Sequence, residues 1–307
     1  MSKQIKKRIS GFLVLTVIGL VVVGLGVLNS EVKADESATS ATAGNELPIA
    51  SGNILNNSSD ITLTENATTT VIATTTITDN NGCGNIASVI GVIYRTDKLA
   101  TCLADTNDCY PSIACTVVSG TCSVPTDVTA DYTCTINMEY YADPTDLTAL
   151  ASTTNWTFQA TPIDTVATGT LATTTQEVNS LSALNVTGTI AYGTINLGNN
   201  TDLTNQIPVV TNTGNRSLDV QLSSAADMVC TVGVIPVANQ KYSAIAFDYD
   251  LAGTALSVTA TTLALTLPQR TGAEIIANTF WGLAMPTTGV NGTCSGTNVF
   301  TALADGT

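Results

Sequence analysis

Apolar residues recur at every second position through much of this chain. Tyr132, Cys134, Ile136, Met138 and Tyr140 alternate with polar residues, so they share one face of an extended segment. Residues 61–83 (ITLTENATTTVIATTTITDNNGC) alternate apolar and hydroxyl side chains and end in turn formers, which predicts one or two strands and a turn. IASVIGVIYRT is apolar on both faces, with Val89, Gly91 and Ile93 on one and Ile90, Val92 and Tyr94 on the other. Such a strand is either central in a sheet or wrapped by a loop. NWTFQATPID reads as the last strand of this half. In the second half, LNVTGTIAYGTINLG alternates with glycine interruptions, and KYSAIAFDYDLA, LSVTATTLALTL, ANTFWGLAMP and GTCSGTNVFTAL predict further strands. QIPVVTNTGNRSLDVQLSS has the form of a β-hairpin, with NTGN supplying residues that tolerate positive φ between two alternating runs.

Short strands separated by turn formers, with no helical periodicity of useful length beyond the N-terminal region, predict an all-β chain. The expected architecture is two Ig-like or fibronectin-like β-sandwich domains in tandem after a signal peptide. Lys3, Lys6, Lys7 and Arg8 precede an uncharged apolar run from Gly11 to Leu28, and Val32-Lys33-Ala34 offers a cleavage site. Residues 1–34 are therefore read as a signal peptide, with a retained N-terminal anchor as the competing reading, since the run just reaches membrane-spanning length. A type IV pilin leader fits less well, because Thr16 stands where a glutamate is usual. Residues 35–52 read as a flexible stalk, 53–166 as a disulfide-rich sandwich, 167–177 as a Thr-rich linker and 178–307 as a second sandwich. Residues 98–131, with four cysteines, read as a long insertion of little regular structure.

Eight cysteines, with no CxxC pair and no histidine in the chain, fit disulfides better than a zinc site. Cys230 and Cys294 are alone in the second half, so they are expected to pair. In the first half we expect Cys83 to join Cys134, with Cys102, Cys109, Cys115 and Cys122 pairing locally. Charged residues make up only 11% of the chain, so hydroxyl and amide groups must cover the surface. Without residues 1–34, 5 basic residues stand against 23 acidic ones, a net charge of −18. Such a surface repels nucleic acid.

Several segments resemble known modules. VVTNTGNRSLDVQLSS is similar to the N-terminal half of the CARDB-like and related Ig-like β-sandwich modules of bacterial and archaeal surface proteins, and FWGLAMPTTGVNGTCSGTNVFTA to their C-terminal strands. TDNNGC, IASVIGVIY and MEYYADPTD resemble an Ig-like or fibronectin-type module of the kind that often precedes it. The resemblance implies a place in the cell envelope or outside the cell, and a structural or adhesive role.

Candidate chemistry is sparse. Without an imidazole, Ser-His-Asp and Cys-His mechanisms have no base. Asp248 and Asp250, two apart in an expected strand, read as a solvated face rather than a glycosidase pair. Calcium is the cofactor considered, with Asp79, Asp143 and Asp146 as candidate ligands in turns that also contain Asn or Thr, although no EF-hand spacing is present. Trp156 and Trp281 read as core residues packed on disulfides. Asn-x-Ser/Thr sequons occur at Asn56, Asn57, Asn66, Asn155, Asn185, Asn199, Asn215 and Asn291. The chain is thus expected to be a secreted or cell-surface structural or adhesive protein and not an enzyme. The expected partners are other envelope proteins or glycans, with membrane contact only through an uncleaved N-terminus. The alternative is an extracellular carbohydrate- or ligand-binding module.

Overall fold

The computed structural model describes residues 37–305. The signal-peptide reading of residues 1–34 lies outside them. Asn45–Thr307 forms one compact unit. The fold is all-β, with twenty short strands in several separate sheets, and its only helical pieces among the described residues are three 3-10 turns.

The first half contains β1 (Ile49–Leu55), β2 (Thr69–Thr78), β3 (Ile86–Arg95), β4 (Cys109–Ala114), β5 (Thr116–Val117), β6 (Thr129–Met138), β7 (Trp156–Asp164) and β8 (Ala172–Gln176). One four-stranded sheet has the order β1-β2-β6-β5 and the other β4-β3-β7-β8. Their inner faces share one core: Val71, Ala73, Ile77, Cys134 and Ile136 from the first, Val89, Ile93, Trp156 and Phe158 from the second. The alternation along β6 is what builds this layer, since Ala130, Tyr132, Cys134, Ile136 and Met138 are buried and the residues between them are not. β3 lies between β4 and β7, and Val89, Gly91, Val92 and Ile93 along it are buried.

Three readings of this half need correction. β1 pairs with β2 from Ile49 onward, so the sheet begins inside the segment expected to be a stalk. Residues 98–131 supply β4 and β5, because the cysteines there tie the chain against the sheets instead of closing a bare loop. The Thr-rich "linker" is a strand: Ala172–Gln176 pairs antiparallel with Trp156–Ala160. Hydroxyl residues on an exposed edge strand look like a linker because neither face is fully buried.

The second half contains β9 (Leu184–Thr187), β10 (Val209–Asn212), β11 (Leu218–Ser224), β12 (Met228–Val232), β13 (Val234–Ile235), β14 (Gln240–Ser243), β15 (Thr254–Ala255), β16 (Thr261–Leu267), β17 (Ile276–Asn278), β18 (Phe280–Leu283), β19 (Asn291–Ser295) and β20 (Asn298–Ala304). They form four three-stranded sheets: β17-β10-β9, β16-β11-β20, β13-β12-β19 and β15-β14-β18. A second core gathers Val210, Leu218, Val220, Leu222, Tyr242 and Trp281.

The expected hairpin is not formed. β10 and β11 belong to different sheets, so the NTGN segment carries the chain from one layer to the other. None of its residues has positive φ among the described residues. Asn212 and Asn215 are fully buried instead. The Asn212 amide donates to the carbonyls of Arg216, Leu267 and Pro268, at 2.8, 3.1 and 2.8 Å, and its oxygen accepts from Gly214 N–H at 3.0 Å. A buried amide with that many partners holds a crossover in place as a strand ladder would.

Four disulfides close the cysteine set: Cys83–Cys122, Cys102–Cys109, Cys115–Cys134 and Cys230–Cys294, leaving none free. The expected Cys83–Cys134 bridge is therefore wrong. Cys134 faces the core from β6, and the start of β5 brings Cys115 beside it, while Cys83 sits at the end of the fold where the 122–128 loop turns. Four disulfides mark an oxidising, extracellular type of environment. Among the described residues no helix is long and apolar enough to cross a membrane.

Candidate functional site

The two cores meet along a polar seam, and the connection between them is bonded to both sides. Thr145 N–H donates to Val178 O at 2.9 Å, and Val178 N–H donates to the Thr145 hydroxyl at 3.0 Å. Asp146 takes the N–H and hydroxyl of Ser180 at 2.7 and 2.8 Å. From the other side, Asn215 accepts Leu181 N–H at 2.6 Å and donates to Asn179 O at 3.0 Å. Gly214 packs so closely here that a Cβ would stand 2.1 Å from Leu181 O. Residues 178–183 are thus fixed in the seam.

A charged cluster extends it. Arg95 grips Asp97 with two bonds of 2.6 and 2.8 Å and also meets Asp143. Asp143 in turn accepts from Gln269 at 2.8 Å, and Gln269 donates to Tyr141 O at 2.9 Å. Buried Asn107 bridges Tyr141 O and Arg270 O at 2.9 and 2.8 Å. Arg270 bonds the Tyr140 hydroxyl at 2.9 Å and stands 4.5 Å from the Tyr141 ring centre, a cation–π contact. Beside the cluster is a pocket of about 340 Å³, lined by Arg95, Asp143, Thr148, Arg216, Gln269 and Asp305. Burial pushes the Asp143 carboxyl above the ordinary carboxylate range, against the pull of Arg95. Asp146 moves the other way: burial raises it, but the bonds from Ser180 and Thr148 together hold it below that range.

Asp79, Asp143 and Asp146 do not converge, and among the described residues no three Asp, Glu, Cys or His side chains form a metal-sized group. Asp143 and Asp146 are engaged with protein donors in the seam. Asp79 is buried at the end of β2, where its Oδ1 accepts Asn81 N–H at 2.8 Å. Asp248 and Asp250 lie in a turn, not a strand. Asp248 accepts Asp250 N–H at 3.0 Å, and Asp250 accepts the Asn200 amide at 2.8 Å. Trp156 and Trp281 are both fully buried, with indole N–H groups donating to Asp143 O at 2.8 Å and to the Thr279 hydroxyl at 2.9 Å. The sequon at Asn215 is closed to modification in the folded chain, since that side chain is 0% exposed.

Of the seam residues, Asp143 and Asp146 stood out in the sequence only as calcium ligands, and Arg95, Asn107, Gln269 and Arg270 were missed, although one signal was present. Residues 35–307 hold only three arginines, Arg95, Arg216 and Arg270, and all three stand here. A second feature lies in the other half: a groove of about 980 Å³ between Gly188–Ile195 and the end formed by β19 and β20.

Comparison with known proteins adds little to this geometry. No protein-family model matches the chain, and no curated protein matches it. Solved structures similar to it include the secreted serine protease VesC from Vibrio cholerae, at 9% identity and TM-score 0.18 over 80% of this chain and 49% of that one. The C-terminal domain of the AgI/II polypeptide BspA from Streptococcus agalactiae matches at 10% identity and TM-score 0.20, over 80% of this chain and 95% of that one. The chain thus spans about half the length of VesC. A secreted serine protease stands among these neighbours, and the expectation that the chain is not an enzyme is withdrawn. At such scores the likeness carries no argument about activity in either direction. With no histidine in 307 residues, any catalysis here would proceed without an imidazole base.

Proposed function

We propose that this chain is a secreted or cell-surface structural or adhesive component, made of two tandem Ig-like β-sandwiches of the CARDB-like kind behind a cleaved signal peptide. The observation that supports it best is the bonded seam. The first and second cores, held by hydrogen bonds on both sides of residues 178–183, with three disulfides in the first half and one in the smaller cluster of Cys230, Ile235, Leu283 and Val290, make a stiff body suited to bearing force or spacing other groups. Its partners are other envelope proteins or surface glycans. The acidic, hydroxyl-rich exterior favours solubility outside the cell. A carbohydrate-binding role predicts exposed aromatic rings around a concave face. The rings that line the large groove, Tyr192 and Phe300, are half-buried against the core, which favours the structural reading.

The test combines location with stiffness. A membrane-impermeant amine or carboxyl label applied to intact cells should mark the protein, whose N-terminus should begin at Asp35. Limited proteolysis should leave residues 167–183 uncut. Recovery from the cytosol with reduced thiols would overturn the surface assignment, and rapid cleavage into two separately folded halves would overturn the rigid coupling.

A further inference from the structure

We propose that the groove beside Gly188–Ile195 accepts one added β-strand, supplied by residues 37–43 of a second copy of this chain. The alternation of β9 does not stop where its ladder stops. Leu184, Val186, Ile190 and Tyr192 all pack partly buried against the second core, evenly spaced on either side of a bend at Gly188, where φ is +93°. Yet only Leu184–Thr187 pairs with β10. Gly188–Ile195 joins no ladder, and no main-chain hydrogen bond ties these residues to the rest of the described fold. The opposite lip is formed by residues 292–297, from β19 and the turn after it, with Asn298 and Phe300 of β20, and both strands are terminal in their sheets. Both lips therefore present main-chain donors and acceptors without ladder partners, which is the template for strand addition.

The side chains agree with a missing neighbour. The inward residues of the central strands β10 and β11 are fully buried, whereas Leu184, Val186 and Phe300 on the lips are only partly covered. The groove between them is lined without a single charged side chain. In a chain with 24 acidic residues this selects strongly for an uncharged occupant, because a carboxylate moved into the groove would lose its hydration. Ser37–Ala43 (SATSATA) is uncharged, exposed throughout and outside every strand. It has seven residues, as many as β20. Because donor and acceptor are different surfaces, each copy would fill the next one's groove, and the contact would propagate into a filament rather than close a dimer.

Two variants on opposite sides of the contact test this in the full-length protein. Ala41→Pro lies in the exposed donor segment and Ala191→Pro on the exposed lip, and each removes a main-chain donor. Sedimentation velocity over a concentration series should show chains of copies for the parent and association weaker by about tenfold or more for either variant. The near-ultraviolet circular dichroism of Ala41→Pro should be unchanged, which separates loss of assembly from loss of fold. Mixing one preparation carrying Ala41→Cys with another carrying Ala191→Cys should then give a disulfide-linked pair of different chains. A parent that stays monomeric at all concentrations, or a mixture that yields no disulfide-linked pair of the two different chains, would overturn the proposal. A monomer displayed on intact cells would leave the surface role standing and sink strand exchange alone.

Discussion

The most informative single perturbation is Asn215→Ala. The Asn215 side chain is 0% exposed, and its two hydrogen bonds reach the connection between the cores. Truncation removes both bonds and leaves Leu181 N–H and Asn179 O without their partners. A neutral hydrogen bond contributes about 1 kcal/mol, and a buried group left unpaired costs about 1–3 kcal/mol. Leu181 and Asn179 are half-buried, so water recovers part of that cost. The expected loss is about 2 kcal/mol or slightly more. For a cooperative unit of this size it corresponds to a fall in Tm of about 4–8 °C. Differential scanning calorimetry would measure it, with Asn185→Ala at an exposed position as the control. The transition should also broaden or split, because the bonds lost are those that couple one core to the other. Asn215→Asp should cost more, since it keeps the acceptor for Leu181 but turns a second acceptor toward Asn179 O. A Tm for Asn215→Ala within about 1 °C of the parent, with one sharp transition, would refute the seam as the coupling element.

Other outcomes follow from the same structure. Replacing both Cys230 and Cys294 by serine, which opens a loop of 64 residues' separation, should cost about 4 kcal/mol. The same change at Cys102 and Cys109, only 7 apart, should cost about 2.5 kcal/mol, and denaturant titration of the two variants gives the order directly. Trp281 packs between Tyr242 and Phe300, with ring centres 5.6 and 5.5 Å away, so Trp281→Ala should lose about 3–5 kcal/mol in the same titration. Asp146 is held below its ordinary pKa of 3.8, so its stabilisation is complete above that value and is lost as pH falls through the lowered folded one. The stability gap between the parent and Asp146→Asn should therefore shrink toward zero in strong acid, and a gap that widens there would contradict the Ser180 bonding. Asp143 has the opposite sign: its folded pKa is raised by burial, so its contribution is greatest below the ordinary value and declines as pH rises through the folded one.

Local pattern alone determined a good deal of this molecule. The period of two in β6 placed Tyr132, Cys134, Ile136 and Met138 on one inward face, because side-chain direction in a strand depends only on position along it. The doubly apolar run in β3 indicated a strand either central in its sheet or wrapped by a loop, and it lies between β4 and β7. The even number of cysteines in each half indicated bridges closed within halves, since a chain of this kind must pair what it has. What local pattern could not decide was which surfaces meet. The choice of Cys115 over Cys83 as partner for Cys134 depends on β5 pairing with β6, which sets Cys115 beside Cys134. Residues 172–176 became a strand only because β7 presented an open edge to them. The NTGN segment has every local mark of an exposed hairpin tip, yet its asparagines are buried because partners far along the chain, Leu267 and Pro268 for Asn212, and Asn179 and Leu181 for Asn215, need their amides. A side chain's own direction is a property of the backbone beneath it, but its partners are chosen by the packing of distant segments, and that information exists only in three dimensions.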